Sequence, residues 1–211
     1  MIIEACVETI DEALIAQENG ANRIELCADL VEGGTTPSFG LISSAITYMN
    51  IPIMVMIRPR GGNFIYNEKE IEIMKKDIDL CKQLEVDGIV LGLLDQDRCI
   101  DLDKTRILCQ YAFPLQVTFH KAIDDTKDLV SEFIRLKESA IVNRVLTSGG
   151  ARSAFEGTDQ LKHMITLAGN DITIIVAGGV TKDNLNMISQ SIPCSEYHGR
   201  KIVGDLNNPI Y

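Results

Sequence analysis

Eight short apolar segments recur along the chain, and longer stretches separate them in which apolar residues follow a helical spacing. Nearly unbroken apolar segments are typical of parallel strands that are buried on both faces of a sheet. The pattern therefore predicts eight parallel strands, at residues 2–6, 23–27, 53–57, 88–94, 115–120, 143–148, 172–177 and 195–198.

The intervening stretches predict helices, and the clearest of them cover residues 9–20, 38–50, 68–88, 128–139 and 153–169. Eight short and evenly spaced strand–helix units favour a closed (β/α)8 TIM barrel over an open doubly wound sheet. No linker or low-complexity tract interrupts the alternation, so we expect a single domain over residues 1–211. Little room follows the weak eighth strand, so the last helix is expected to be short or missing.

Composition narrows the range of partners and cellular locations that the protein can have. The 211 residues carry 20 basic and 30 acidic side chains, a formal net charge of −10, which argues against nucleic acid or an anionic membrane as a partner. No apolar run reaches the length of a membrane span, and the N-terminus does not resemble a signal peptide. The six cysteines show no zinc-type spacing. Free thiols and a cytoplasmic location are expected.

Two Glu-x-Cys pairs lie at the ends of the first two predicted strands: Glu4 with Cys6, and Glu25 with Cys27. Within a strand, residues two apart face the same side. Adjacent strands are about 4.8 Å apart, so the two thiolates could approach one soft ion such as Cu(I). Alternatively, both cysteines are small apolar residues of the core, since free cysteine is among the most buried residue types.

The stretch MVMIRPRGGNF, residues 54–64, places Arg58 and Arg60 directly after the third strand. At a barrel mouth, guanidinium groups can bind the carboxylate or phosphate of a small anionic ligand. They could instead bond loop carbonyls or neutralise Glu4 and Glu25 and so organise the rim. We expect the Glu–Arg pairing to be favoured over a carboxylate pair that shares a proton, and Arg58 to be exposed.

His120 closes the fifth strand, where an imidazole could act as an acid, a base or a ligand. His198 closes the eighth strand, but there a bond to a neighbouring carboxylate is the better interpretation. Ser148 opens a Ser-Gly-Gly turn of the kind that cradles phosphate in many barrels, although tight turns need glycine in any case.

Several strings resemble the CutC family, which is named for a proposed role in copper homeostasis: RIELC at 23–27, IRPRGG at 57–62, VTFHKAID at 117–124 and RVLTSGG at 144–150. The resemblance runs from residue 2 to about 198. It implies a (β/α)8 barrel, a cytoplasmic location, copper handling by two cysteines and barrels that often associate as homo-oligomers. Ala177 stands where the family usually has the first of three glycines, and Gly199 and Arg200 also depart from its pattern.

Two main hypotheses follow, and a non-catalytic ligand sensor is a third alternative. In the first, the protein is a cytosolic copper homeostasis protein that holds Cu(I) between Cys6 and Cys27. In the second, it is an enzyme for a small anionic metabolite, bound by Arg58, Arg60 and Ser148. Proton transfer would then fall to the catalytic candidates, His120, Glu4 and Glu25.

Overall fold

A computed structural model describes residues 1–206 as a closed barrel in which each strand pairs in parallel with the next and β8 pairs with β1. This confirms the predicted (β/α)8 fold. The eight strands are β1 Ile2–Val7, β2 Arg23–Leu26, β3 Ile53–Met56, β4 Gly88–Leu91, β5 Gln116–Phe119, β6 Arg144–Thr147, β7 Thr173–Val176 and β8 Glu196–Gly199.

Seven α-helices connect the strands within the described residues: α1 Ile10–Glu18, α2 Phe39–Tyr48, α3 Glu68–Gln83, α4 Leu102–Ala112, α5 Leu129–Ser139, α6 Thr158–Ala168 and α7 Leu185–Ser191. No helix follows β8 up to residue 206, in agreement with the expected missing last helix. Residues 207–211 of the predicted domain lie outside the described residues. None of the helices described in residues 1–206 is long and apolar enough to cross a membrane.

Local sequence signals explain where the helices begin. In α3, the Asn67 side chain accepts the backbone N–H of Glu70, and the Glu70 carboxylate accepts the N–H of Asn67. This reciprocal arrangement satisfies two N–H groups that the first helical turn leaves free. The helix then buries Ile71, Met74 and Ile78 against the barrel.

The barrel has two apolar layers because successive residues of a strand point to opposite faces. Ala5 and Val7 belong to the large core between the sheet and the helices, whereas Cys6 between them points inward. The barrel interior holds two smaller apolar groups. One comprises Leu146, Ile175 and Ala177, and the other, called here the sulfur group, comprises Cys6, Cys27, Met54, Met56 and Val90.

The interior beside β1, β2 and β8 is charged. The buried Arg23 guanidinium binds the carboxylates of both Glu4 and Glu196. Arg144 Nε approaches the same Glu196 carboxylate at 3.5 Å. Four ionised side chains therefore share the lower part of the barrel, where an unpaired charge would be costly.

We expect Arg23→Gln to lower the free energy of unfolding by about 3–5 kcal/mol, because it removes the buried cation that binds both carboxylates and leaves each with only its second partner, His198 or Arg144. Urea denaturation followed by circular dichroism measures the loss. The matched control is Arg200→Gln: Arg200 also binds two carboxylates, but its side chain is 43% exposed, so the expected loss is about 0–1 kcal/mol. Equal losses in the two variants would contradict the assignment of the buried network as a stabilising element.

Candidate functional site

The carboxyl ends of the strands surround a cavity of about 320 Å³, called here the mouth cavity. Its titratable and sulfur-bearing lining residues are Cys6, Glu25, Met56, Arg58, His120, Lys121, His198 and Arg200, and apolar residues and glycines fill the gaps between them. In barrels of this fold the active site lies at this end. A wider depression of about 680 Å³ lies at the opposite end and has no acidic or basic side chain in its lining.

Cys6 and Cys27 lie side by side, with 3.9 Å between their sulfur atoms. In the β1–β2 register Cys6 stands opposite Glu25, so the two sulfur atoms meet diagonally across the strands. The Glu25 carboxylate lies 3.6 Å from the Cys27 sulfur. The three side chains are buried, and their ligand atoms lie within 4.8 Å of one another. The expected proximity of the two cysteines is confirmed.

His198 holds a central position that the sequence interpretation did not give it. Its Nδ1 lies 2.8 Å from Glu4 Oε1, and its Nε2 lies 3.7 Å from Glu25 Oε2. Burial opposes the charged imidazole, but Glu25, Cys6 and Glu4 outweigh burial and hold the pKa of His198 well above its usual range. The expected bond to a neighbouring carboxylate is therefore present. Glu25, Cys6 and Glu4 together keep His198 a cation beside the two cysteines, with its side chain 12% exposed.

Four acidic side chains lie around His198, those of Glu4, Cys6, Cys27 and Glu25, and their pKa values are shifted in different directions. Burial raises the pKa of Glu4, but His198 and Arg23 prevail and bring it down to about 2. The hydrogen bond from the Cys27 thiol, helped by His198, lowers the pKa of Cys6 to about 5. The same bond and burial raise the pKa of Cys27, and burial together with Cys6 raises that of Glu25. At neutral pH the pair is thus one thiolate and one thiol.

Arg58 does not pair with Glu4 or Glu25. It is 4% exposed, and its guanidinium donates to three main-chain carbonyls, those of Glu32, Gly34 and Gly62, at 2.8–2.9 Å. The expectation of an exposed Arg58 is wrong, because the loops after β2 and β3 fold over the side chain. Of the two alternatives for the rim, the bonds to loop carbonyls are the ones that form.

Arg60 points away from the mouth cavity and is not among its lining residues. Its Nε donates to Glu70 at 2.5 Å, and its other nitrogens donate to carbonyls of its own loop, including that of Ile65. The expected pairing of Arg60 with Glu4 or Glu25 is therefore wrong. Arg60 ties the loop after β3 to the start of α3.

His120 lines the cavity with a defined tautomer. Its Nδ1 accepts the backbone N–H of Ala122 at 3.1 Å, and burial, together with the charge of Arg58, lowers the pKa of the imidazole to about 3. A neutral imidazole with an accepting Nδ1 carries its hydrogen on Nε2. Gly92 makes room for this ring, since a Cβ there would collide with it.

Ser148 is fully buried, and its hydroxyl bonds Asp124 at 2.9 Å and the Ala151 carbonyl at 2.7 Å. Lys121 also donates to this hydroxyl. A Cβ on Gly178 would come within 2.7 Å of the Ser148 side chain, which explains the glycine. Ser148 fixes the loop after β6 and is not among the residues that line the mouth cavity.

The other four cysteines lie outside the cavity, as expected. Cys81 and Cys109 are buried on α3 and α4, and burial raises the pKa of each to about 12. Cys99 and Cys194 lie in loops, with pKa values that burial also raises.

Comparison with known proteins identifies the family. The sequence matches the CutC family over residues 1–203. The chain belongs to the CutC family. It is 42% identical to the human copper homeostasis protein cutC homolog over 93% of this chain and 72% of the relative. The Dictyostelium discoideum homolog is 41% identical, over 92% and 80%.

The crystal structure of CutC from Streptococcus agalactiae superposes with a TM-score of 0.90 at 35% identity. The match covers 96% of this chain and 99% of that one. Within this CutC chain, Arg200 donates to Glu8 and Glu12 at 3.1 Å each, so two carboxylates hold its side chain at the rim.

We expect one thiol of this CutC protein to titrate with a midpoint near pH 5, well below the ordinary value of 9.0, because Cys27 and His198 stabilise the Cys6 thiolate. Thiolate absorbance in the ultraviolet measures the titration. Cys6→Ser removes the early step, His198→Gln moves it to higher pH, and Cys109→Ser leaves it in place. A first midpoint at pH 8 or above would contradict the assigned thiolate.

Proposed function

We propose that this CutC chain binds one Cu(I) ion between Cys6 and Cys27. The observation that carries the proposal is the 3.9 Å separation of the two sulfur atoms on adjacent strands. Two sulfur atoms this close can ligate one ion after small side-chain rotations. Thiolates are soft ligands, which favour Cu(I) over harder ions. The names of the human and Dictyostelium relatives, copper homeostasis protein cutC homolog, agree with this choice.

The ligand set suits Cu(I) better than zinc. Cys6, Glu25 and Cys27 form the group of potential ligands that lies together within residues 1–206. A structural zinc site usually has four protein ligands in tetrahedral geometry. Glu25 is a hard ligand whose pKa is raised, so it stays protonated more readily than an ordinary carboxyl group. The other members of the sulfur group surround the pair with thioether and apolar side chains.

The residues around the pair prepare it for a cation. Cys6 is already a thiolate at neutral pH, so only the Cys27 proton must leave when both sulfur atoms ligate the ion. The His198 imidazolium offsets the negative charge of the site, and Glu4 holds its ring in place. A cytosolic location is part of the proposal, because the reducing cytosol keeps thiols available.

The alternative of an enzyme for a small anionic metabolite remains a prediction. Its catalytic candidates are separated: Glu25 and His120 line the mouth cavity, whereas Glu4 is 1% exposed and engaged with Arg23 and His198. The geometry supports Cu(I) binding by the thiols better than proton transfer by Glu4.

We expect a stoichiometry of one Cu(I) per chain, and a loss of more than about 100-fold in affinity for either Cys6→Ser or Cys27→Ser. A hydroxyl oxygen is a poor ligand for this ion. Mutating a residue that only supports a ligand typically lowers metal affinity about 10–100-fold, so losing a ligand itself should lower it further. The measurement is a competition titration against a chromogenic Cu(I) chelator.

The matched control is Cys194→Ser, since Cys194 lies in a loop away from the cavity and its thiol donates to the Ile174 carbonyl. It should bind Cu(I) as the wild type does. The same affinity in all four proteins would make the cysteine pair part of the core and would refute the copper site.

A further inference from the structure

Arg58 is a buried cation without a counterion. Its three recorded hydrogen bonds all end on neutral carbonyl oxygens, and no carboxylate within residues 1–206 forms an ion pair with it. Arg23 and Arg60, in contrast, each bind a carboxylate. Burying a charge without a partner is costly, so the site is incomplete as it stands.

Two donors beside this charge also lack acceptors. Arg58 Nε and His120 Nε2 are both buried, and neither has a hydrogen-bond partner. Buried donors without partners are rare in native proteins. Because Nδ1 of His120 accepts the Ala122 N–H, its Nε2 carries a hydrogen that needs an acceptor.

Phe64 connects the two donors. Its ring centroid lies 4.9 Å from that of His120 and 4.9 Å from Arg58 Cζ, and all three residues line the mouth cavity. The ring is half-buried and lies against both side chains, so a ligand reaches the two donors only if the ring moves aside. The buried Tyr66 hydroxyl lies close enough to Arg58 to interact with it, which offsets part of the rise that burial causes in the pKa of Tyr66. As a neutral group, Tyr66 does not balance the Arg58 charge.

The other cations of the cavity already have partners. Lys121 lies 3.2 Å from Asp124, His198 binds Glu4, and Arg200 binds two carboxylates. The Arg58 charge remains without a carboxylate partner, and the Cys6 thiolate in the same lining disfavours a ligand with two negative charges. The remaining lining is largely apolar, with Leu30, Met56, Phe64, Leu146 and Ala177.

We propose that the mouth cavity binds a small monocarboxylate with an apolar body, whose carboxylate accepts the N–H groups of Arg58 Nε and His120 Nε2. The carboxylate supplies the missing counterion, and the apolar body lies against the apolar lining. The volume of about 320 Å³ is at the lower end of the range for ligand pockets, about 300–1,000 Å³, and therefore suits a small acid. This inference does not depend on copper binding.

The test uses benzoate as the probe and the full-length reduced protein, with isothermal titration calorimetry. His120→Asn keeps a side-chain oxygen that can cap the following turn but removes the Nε2–H donor. Arg58→Lys keeps the charge but removes Nε. We expect each to weaken benzoate binding about tenfold or more, as for the loss of one hydrogen bond to a charged group. Arg60→Lys, outside the cavity, should bind benzoate as the wild type does.

Benzyl alcohol, which is similar in size but uncharged, should bind at least about tenfold more weakly than benzoate. A ¹⁵N NMR titration of the wild type gives a readout that no folding defect can affect, since benzoate should shift the His120 Nε2 resonance. The proposal is overturned if benzoate does not bind, if benzyl alcohol binds equally well, if the His120 resonance does not move, or if folded His120→Asn and Arg58→Lys keep wild-type affinity.

Discussion

The Glu4 carboxylate is the interaction on which the site depends. It is 1% exposed, and it joins Arg23 on β2 to His198 on β8, so one side chain of β1 links both neighbouring strands through the barrel interior. A buried carboxylate is tolerated only when cations and donors surround it. In return it fixes the direction of the His198 ring and, together with Glu25 and Cys6, keeps that ring protonated. The hydrogen bond with Cys27 is the largest cause of the low pKa of Cys6, and the imidazolium that Glu4 positions adds to it.

The mouth has two levels with different chemistry. The floor is formed by β1, β2 and β8 and carries the sulfur pair with its acidic and basic neighbours. The wall is formed by residues that follow β3 and β5, where Arg58 and His120 face Phe64. The floor suits a soft cation, and the wall suits an anion. Both levels open into one cavity, so a ligand on the wall would also cover Cys6.

The sequence was sufficient for the barrel and for the cysteine pair. Apolar strands and helical spacing are local patterns, and the two-residue spacing within Glu-x-Cys already indicates which side chains point inward. The partners of Arg58 and Arg60 were not predictable, because an arginine after a strand has the same local sequence whether it binds a carboxylate or a loop carbonyl. The role of His198 was missed because its strand is weak and its partner Glu4 is 194 residues away. One signal was available: Glu4 lies in the first strand and His198 in the eighth, and these two strands become neighbours when the barrel closes.

The sulfur pair and the imidazole that activates it come from opposite ends of the chain. Cys6 and Cys27 are 21 residues apart within one β1–α1–β2 unit, so closing a short loop brings them together. His198 arrives only when β8 pairs with β1, the last step of a barrel synthesised from its N-terminus. On a nascent chain the two thiols can meet before the imidazole reaches them. A chain that stops before β8 would therefore keep the bond between the two cysteines but lack the cation that helps to hold Cys6 as a thiolate.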